Sequence, residues 1–174
     1  IKIKIRILVL LLGLPSFPAL AAPLSQSLCK PGEKIIYSCQ TARKKTASLC
    51  ASADYPDKRS RLQYRFGTAS KIEMQFPETP QPAEGRFFRS YTMYSGGYES
   101  HVRFSTDSYD YFYYDRMIRT GFKGQNLPKD SSGLVVRERS SGKEQHRACY
   151  PDAVETAGKD GLPETELETL NLPD

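Results

Sequence analysis

Four cysteines, Cys29, Cys39, Cys50 and Cys149, constrain this 174-residue chain more than any other feature, because they can tie segments remote in sequence into one small core. Their even number matters once the N-terminus is read. Lys2, Lys4 and Arg6 make a positive start, Ile7 to Leu14 is apolar apart from Gly13, and Ala19-Leu20-Ala21 has the small-x-small pattern of a cleavage site. This is the three-part order of a secretory signal, so residues 1–21 are expected to leave after export. A cut after Ala22 would place Pro23 directly behind it, which favours Ala21. The apolar run falls short of the roughly 20 residues a membrane span requires, so no span is expected. Leu28 beside Cys29 argues against a lipid anchor on that cysteine. Outside the reducing cytosol, four cysteines read as two disulfides.

Three pairings are possible. A symmetric hairpin about the polar linker Thr41 to Lys45 would set Cys39 against Cys50 and leave Cys29 for Cys149, and this is the expected connectivity. The long loop would then contribute roughly 4–5 kcal/mol in the chain-entropy account and the short one about 3. Zinc is the competing use of four cysteines. No Cys-x-x-Cys spacing occurs, and an oxidising setting disfavours thiolates, so no metal is expected.

Charge must be corrected for the leader. The whole chain is +5, but three of its 25 basic residues precede Ala21, leaving 22 against 20 acidic ones. From Pro151 onward there are seven acidic residues and one lysine. The remaining body is therefore basic, offering a face to an anionic envelope polymer or an acidic protein cleft. A nearly neutral exported chain has little reason to meet nucleic acid.

Short segments rich in Ile, Val, Tyr, Phe and Thr recur between Gly, Pro, Ser and Asp breaks, the pattern of an antiparallel sandwich or barrel. Strands are expected near 33–40, 46–52, 61–66, 70–76, 86–94, 98–105, 109–118, 133–139 and 144–150. Leu62 to Phe66 and Ile72 to Phe76 alternate about Gly67 to Ser70, so each should bury one face. Ser95-Gly96-Gly97 should form a tight hairpin through positive φ at its glycines. The expected organisation is a leader over 1–21, an all-β domain of about eight to nine strands over 22–150, and an acidic tail over 151–174. That tail is expected to have at most a short helix from Glu164 to Leu170 and either to pack back onto the sheet through Leu167 and Leu170 or to be mobile.

The runs Cys29-Lys30-Pro31-Gly32-Glu33, Tyr37-Ser38-Cys39, Ser48-Leu49-Cys50-Ala51-Ser52 and Leu62-Gln63-Tyr64-Arg65-Phe66-Gly67 resemble a family of small exported disulfide-containing proteins of Gram-negative bacteria. Gly96-Gly97-Tyr98 before Phe104, and Leu162-Pro163-Glu164 through Leu172-Pro173, extend the likeness over most of the chain beyond the leader. It implies a periplasmic or secreted location and disulfides, and no particular activity. Ser95-Gly96-Gly97-Tyr98 is also similar to the Ser-Gly-x-x-Tyr loop of periplasmic lysozyme inhibitors, with the tyrosine one position early.

No catalytic or nucleotide motif appears. His101 and His146 each stand in an expected strand, without Gly-x-Ser-x-Gly or His-Glu-x-x-His around them. Gly96-Gly97 joins strands rather than entering a helix, so no nucleotide cofactor is implied. Tyrosines crowd 109–114, where Tyr111 alternates with neighbours, and arginines such as Arg103 lie nearby, a composition suited both to packing and to recognition. The reading is therefore a non-enzymatic, cofactor-free binding or inhibitor module for an envelope protein or cell-wall component, with Tyr94, Ser95, Gly96, Gly97, Tyr98, Arg103 and Tyr111 as its contact surface. The alternatives are an envelope hydrolase using His101 with a carboxylate such as Glu99, and an immunity protein against a periplasmic toxin.

Overall fold

Alternation and turn chemistry resolve into nine strands: β1 Lys34–Gln40, β2 Thr46–Ala51, β3 Arg61–Thr68, β4 Lys71–Pro82, β5 Phe88–Tyr94, β6 Gly97–Ser105, β7 Tyr109–Thr120, β8 Leu127–Glu138 and β9 Glu144–Ala148. The computed structural model describes residues 27–121, 126–151 and 153–173, so the expected leader and its cleavage point lie outside the described residues. Strands β1 to β4 form one antiparallel sheet and β5 to β9 a second, each in chain order. Both sheets contribute to one core, which includes Leu49, Leu62, Val102 and Leu134. The all-β antiparallel expectation is met, and among the described residues no α-helix forms.

Aromatic rings fill the space between the sheets. Phe104 of β6 stacks on Tyr111 at 4.7 Å between centroids and on Phe76 of the other sheet at the same separation. Tyr37 of β1 stacks on Tyr113 of β7 at 4.2 Å. Such pairs contribute about 0.5–1.5 kcal/mol each beyond the area they bury. Strand β8 begins earlier than the composition suggests. Its first half, Leu127-Pro128-Lys129-Asp130-Ser131-Ser132, reads as loop but pairs rung by rung with Thr120 to Asp115 of β7. Pro128 lacks an N–H, and here β8 has no partner on its far side, since β9 joins only from Gly133 onward.

The disulfides pair differently from expectation: Cys29 with Cys50, and Cys39 with Cys149. The hairpin register explains this. Gln40 pairs with Thr46, so Cys39 faces Ala47, while Cys50 falls opposite Ile35 beyond a bulge. Cys39 belongs with Ala47, Leu49 and Ala51 to the core between the sheets, and Cys50 does not. Successive strand residues point to opposite faces, so Cys39 and Cys50 sit on opposite sides of their sheet.

Each sheet's outer face is covered by one end of the described chain. Residues 27–33 lie over the first sheet, where Cys29 is bonded to Cys50 and Glu33 grips the buried Arg65 at 2.6 and 2.8 Å. Arg65 also donates to Gln63 and to the Leu28 carbonyl. The polar face of β3, expected to be solvated, is thus buried and paired. The tail covers the second sheet without a helix. Its residues 163–165 bond the edge of β5 at Arg89, and it then crosses to β8 and β9, where Asn171 meets Glu144. An extended chain rises about 3.3 Å per residue against 1.5 Å for a helix, so it can bridge the sheet while capping a strand edge. Leu170 packs there on Phe112, Tyr114 and Val135. Finally, Tyr150 bonds Gln40, Val154 bonds Ser38 and Thr156 bonds Ile35 along the outer edge of β1, next to the Cys39–Cys149 bond.

Candidate functional site

Near the β3–β4 and β6–β7 turns the two sheets diverge and leave a cavity of about 250 Å³. Strands β3 and β4 supply Tyr64, Phe66 and Met74, and the second sheet supplies Phe104, Tyr111 and Val136. The period-two rule brings these residues together, since paired positions share a face: Phe66 is opposite Met74, and Tyr111 lies between Phe104 and Val136. The Tyr64 hydroxyl is held well above its ordinary pKa, first by burial and then by Tyr111, so this wall residue stays neutral at physiological pH.

The mouth has the opposite character. Arg147 of β9 pairs with Leu134 and therefore faces inward, its guanidinium 5.3 Å from the Phe66 ring centre. Lys45 approaches the same ring at 5.8 Å and bonds Glu73 at 2.6 Å. Outside Arg147 a hollow of about 350 Å³ is bounded by Thr41, Arg43 and His146. Among the described residues Arg43, Lys44 and Arg147 have no carboxylate within ion-pair distance. On the second sheet, three arginines are met by the protein's own tail. Arg89 pairs with Asp160 and Glu164, and Glu168 sits between Arg103 and Arg137. The tail thus neutralises three arginines of the second sheet, and Arg43, Lys44 and Arg147 near the mouth are among the cations it does not reach.

The residues singled out from sequence do not form one surface. Tyr94, Ser95, Gly96 and Gly97 make the β5–β6 hairpin tip, with Tyr94 pairing with Gly97. Tyr91, Met93 and Tyr94 are 55%, 74% and 48% exposed there. Tyr98 stacks on Tyr91 at 5.9 Å, and its hydroxyl is raised to about 12 by burial and by bonding Asp115. It borders a polar hollow of about 470 Å³ that also contains Asp130 and Glu155. Arg103 is taken by Glu168 and lies over Phe88. Tyr111 alone lines the aromatic cavity. Positive φ occurs at Gly97 and not at Gly96. What Gly97 provides is room: an added Cβ would lie 1.8 Å from the Met117 carbonyl oxygen.

His101 does pair with Glu99, at 2.7 Å, as the hydrolase reading requires. It is 1% exposed, lies edge-on to Phe112 beneath the tail, and lines none of the three hollows described above. Burial lowers its pKa and outweighs the opposing pull of Glu99. His146 pairs with Glu144 instead, so the histidines share no site. The metal-like grouping Cys29, Glu33 and Cys50 consists of a disulfide and a carboxylate already held by Arg65.

Phe66, Met74, Val136 and Arg147 were not among the residues picked from sequence. Each sits on an alternating strand and looks like ordinary core or surface, and only the inward position of a charged residue on β9 could have drawn notice. Comparison with family models, with curated proteins and with solved structures finds no match. The two disulfides suit a non-cytoplasmic compartment, and among the described residues no helix is long and apolar enough to cross a membrane.

Proposed function

We propose that the domain is an exported binding module whose ligand site is the aromatic cavity between the sheets. The observation that carries this is the cavity itself, open at one end of a disulfide-tied sandwich. A rigid β framework with an apolar hollow at its mouth is a usual seat for small ligands. An engineered cavity of about 150 Å³ admits benzene, so about 250 Å³ has room for a larger apolar group. The test is titration with octan-1-ol, followed by NMR shifts of the Met74 and Val136 methyls. Saturable shifts at those methyls are expected, and Val136→Phe, which fills the cavity, should abolish them in a folded protein. Absence of saturable shifts would overturn the reading.

A second reading concerns the β5–β6 hairpin. Tyr91, Met93 and Tyr94 stand exposed beside Ser95 and Gly96, and large rigid side chains of this kind anchor protein contacts. This supports a protein partner, of which a lysozyme or a periplasmic toxin would be instances. Size-exclusion chromatography with purified lysozyme tests the first: co-elution lost in Tyr94→Ala would support it, and independent elution would dismiss it.

A further inference from the structure

We infer that the cavity takes a single-chain carboxylic acid, its apolar chain among Phe104, Tyr111 and Val136 and its carboxylate held at the mouth by Arg147, with Arg43 and Lys45 beside it. The inference rests on the cavity being the ligand site and adds what the ligand must be.

Three observations combine. The chamber is apolar and aromatic, about 250 Å³ in volume, which suits one chain rather than several. The hollow of about 350 Å³ outside it shares Gln145 and Arg147 with it, so the cations stand next to the apolar walls. Arg147 lies over Phe66 with no carboxylate partner among the described residues, although other arginines of the same sheet are paired to the tail. A guanidinium fork fits a carboxylate in two parallel hydrogen bonds.

Glu73 is itself a carboxylate at the mouth and already takes Lys45, so an incoming one would meet Arg43, Lys44 and Arg147 beside that ion pair. The Glu73 carboxyl is lowered chiefly by its bond to Lys45, with Lys71 and Arg147 adding to the pull. A neutral chain of equal length would gain the apolar contacts alone. A cationic amphiphile would be repelled.

The experiment compares octanoate with octan-1-ol by calorimetry on the wild-type protein at neutral pH, at low salt and at about 0.5 M salt. Octanol is the more apolar of the two, so cavity contacts alone would favour it. The expected result is octanoate binding about tenfold tighter at low salt, a preference of about 1.4 kcal/mol, and shrinking as salt screens the mouth. Arg147→Gln should remove most of the preference, weakening octanoate far more than octanol, and Arg43→Gln should remove a smaller part. Equal affinities in the wild type, or a salt-independent preference, would overturn the inference and leave the cavity reading standing. Equal weakening of both ligands by Arg147→Gln would also overturn it, since that marks a structural arginine. Binding of neither ligand would remove both readings. Should Arg147→Gln fail to fold, the wild-type preference and its salt dependence decide.

Discussion

Tyr37 of β1 and Tyr113 of β7 lie ring on ring, with centroids 4.2 Å apart and planes within 5°, and so couple the two sheets at the centre of the core. Truncating Tyr37 to Ala should cost about 3–5 kcal/mol through lost burial and a residual void. A double-mutant cycle with Tyr37→Leu and Tyr113→Leu, measured by urea unfolding, should return about 1 kcal/mol of coupling. Additive losses would mean that the stack contributes nothing beyond area.

The two disulfides should differ in weight. Cys39–Cys149 closes a sequence separation of 110 and Cys29–Cys50 one of 21. The chain-entropy account assigns roughly 4–5 kcal/mol to the former and about 3 kcal/mol to the latter. Paired Cys→Ala variants compared by chemical unfolding should rank accordingly, and the reverse ranking would contradict the account.

Acid should weaken the fold in two windows. Burial lowers the His101 pKa in the native state, against the pull of Glu99. Its contribution is therefore complete above the unfolded value of about 6.5 and is lost as pH falls through the lower native value. Glu33 is pushed up by burial but pulled further down by Arg65 and by the Lys30 N–H, so its contribution fades only below the ordinary carboxylate range. Thermal melting between about pH 7 and 5 should be flatter in His101→Gln than in the wild type. Identical slopes would show that His101 does not titrate differently on folding.

Gly96 and Gly97 adjoin in sequence but should respond unequally to alanine. A Cβ on Gly96 meets nothing closer than 4.0 Å, whereas one on Gly97 would strike the backbone of Met117. Gly97→Ala should cost at least about 2 kcal/mol by disrupting the β6–β7 pairing, and Gly96→Ala less than about 1 kcal/mol. Melting temperatures would separate them.

The strand pattern was legible because alternation and turn residues are local signals, and nine strands form in the expected order, although β4 runs on to Pro82 and β8 starts as early as Leu127. What failed was register. A hairpin centred on Arg43, the middle of the expected linker, pairs Cys39 with Ala47, three residues from Cys50, and so sends the two cysteines to opposite faces; the Cys39–Cys50 pairing did not follow from that centre. The tail was legible in part: it is irregular and docks through Leu170 as its composition suggested, while the pairing of residues 163–165 with the edge of β5 has no local signal. The cavity was invisible because its walls come from separate strands of both sheets. Tyr111 was singled out as a contact and does line it, while Tyr94 and Tyr98 belong to the far hairpin.

The two cross-links interleave, since the Cys29–Cys50 span contains Cys39, whose partner lies beyond it. A chain oxidised progressively from its N-terminus meets Cys29 and Cys39 first, and those two never pair in the finished fold. Cys39 has to stay reduced, or be released from a wrong partner by thiol exchange, until β9 brings Cys149 alongside. Molecules in which Cys39 is oxidised early must therefore pass through thiol exchange to reach the native fold, so the yield of native protein depends on how late in assembly oxidation falls.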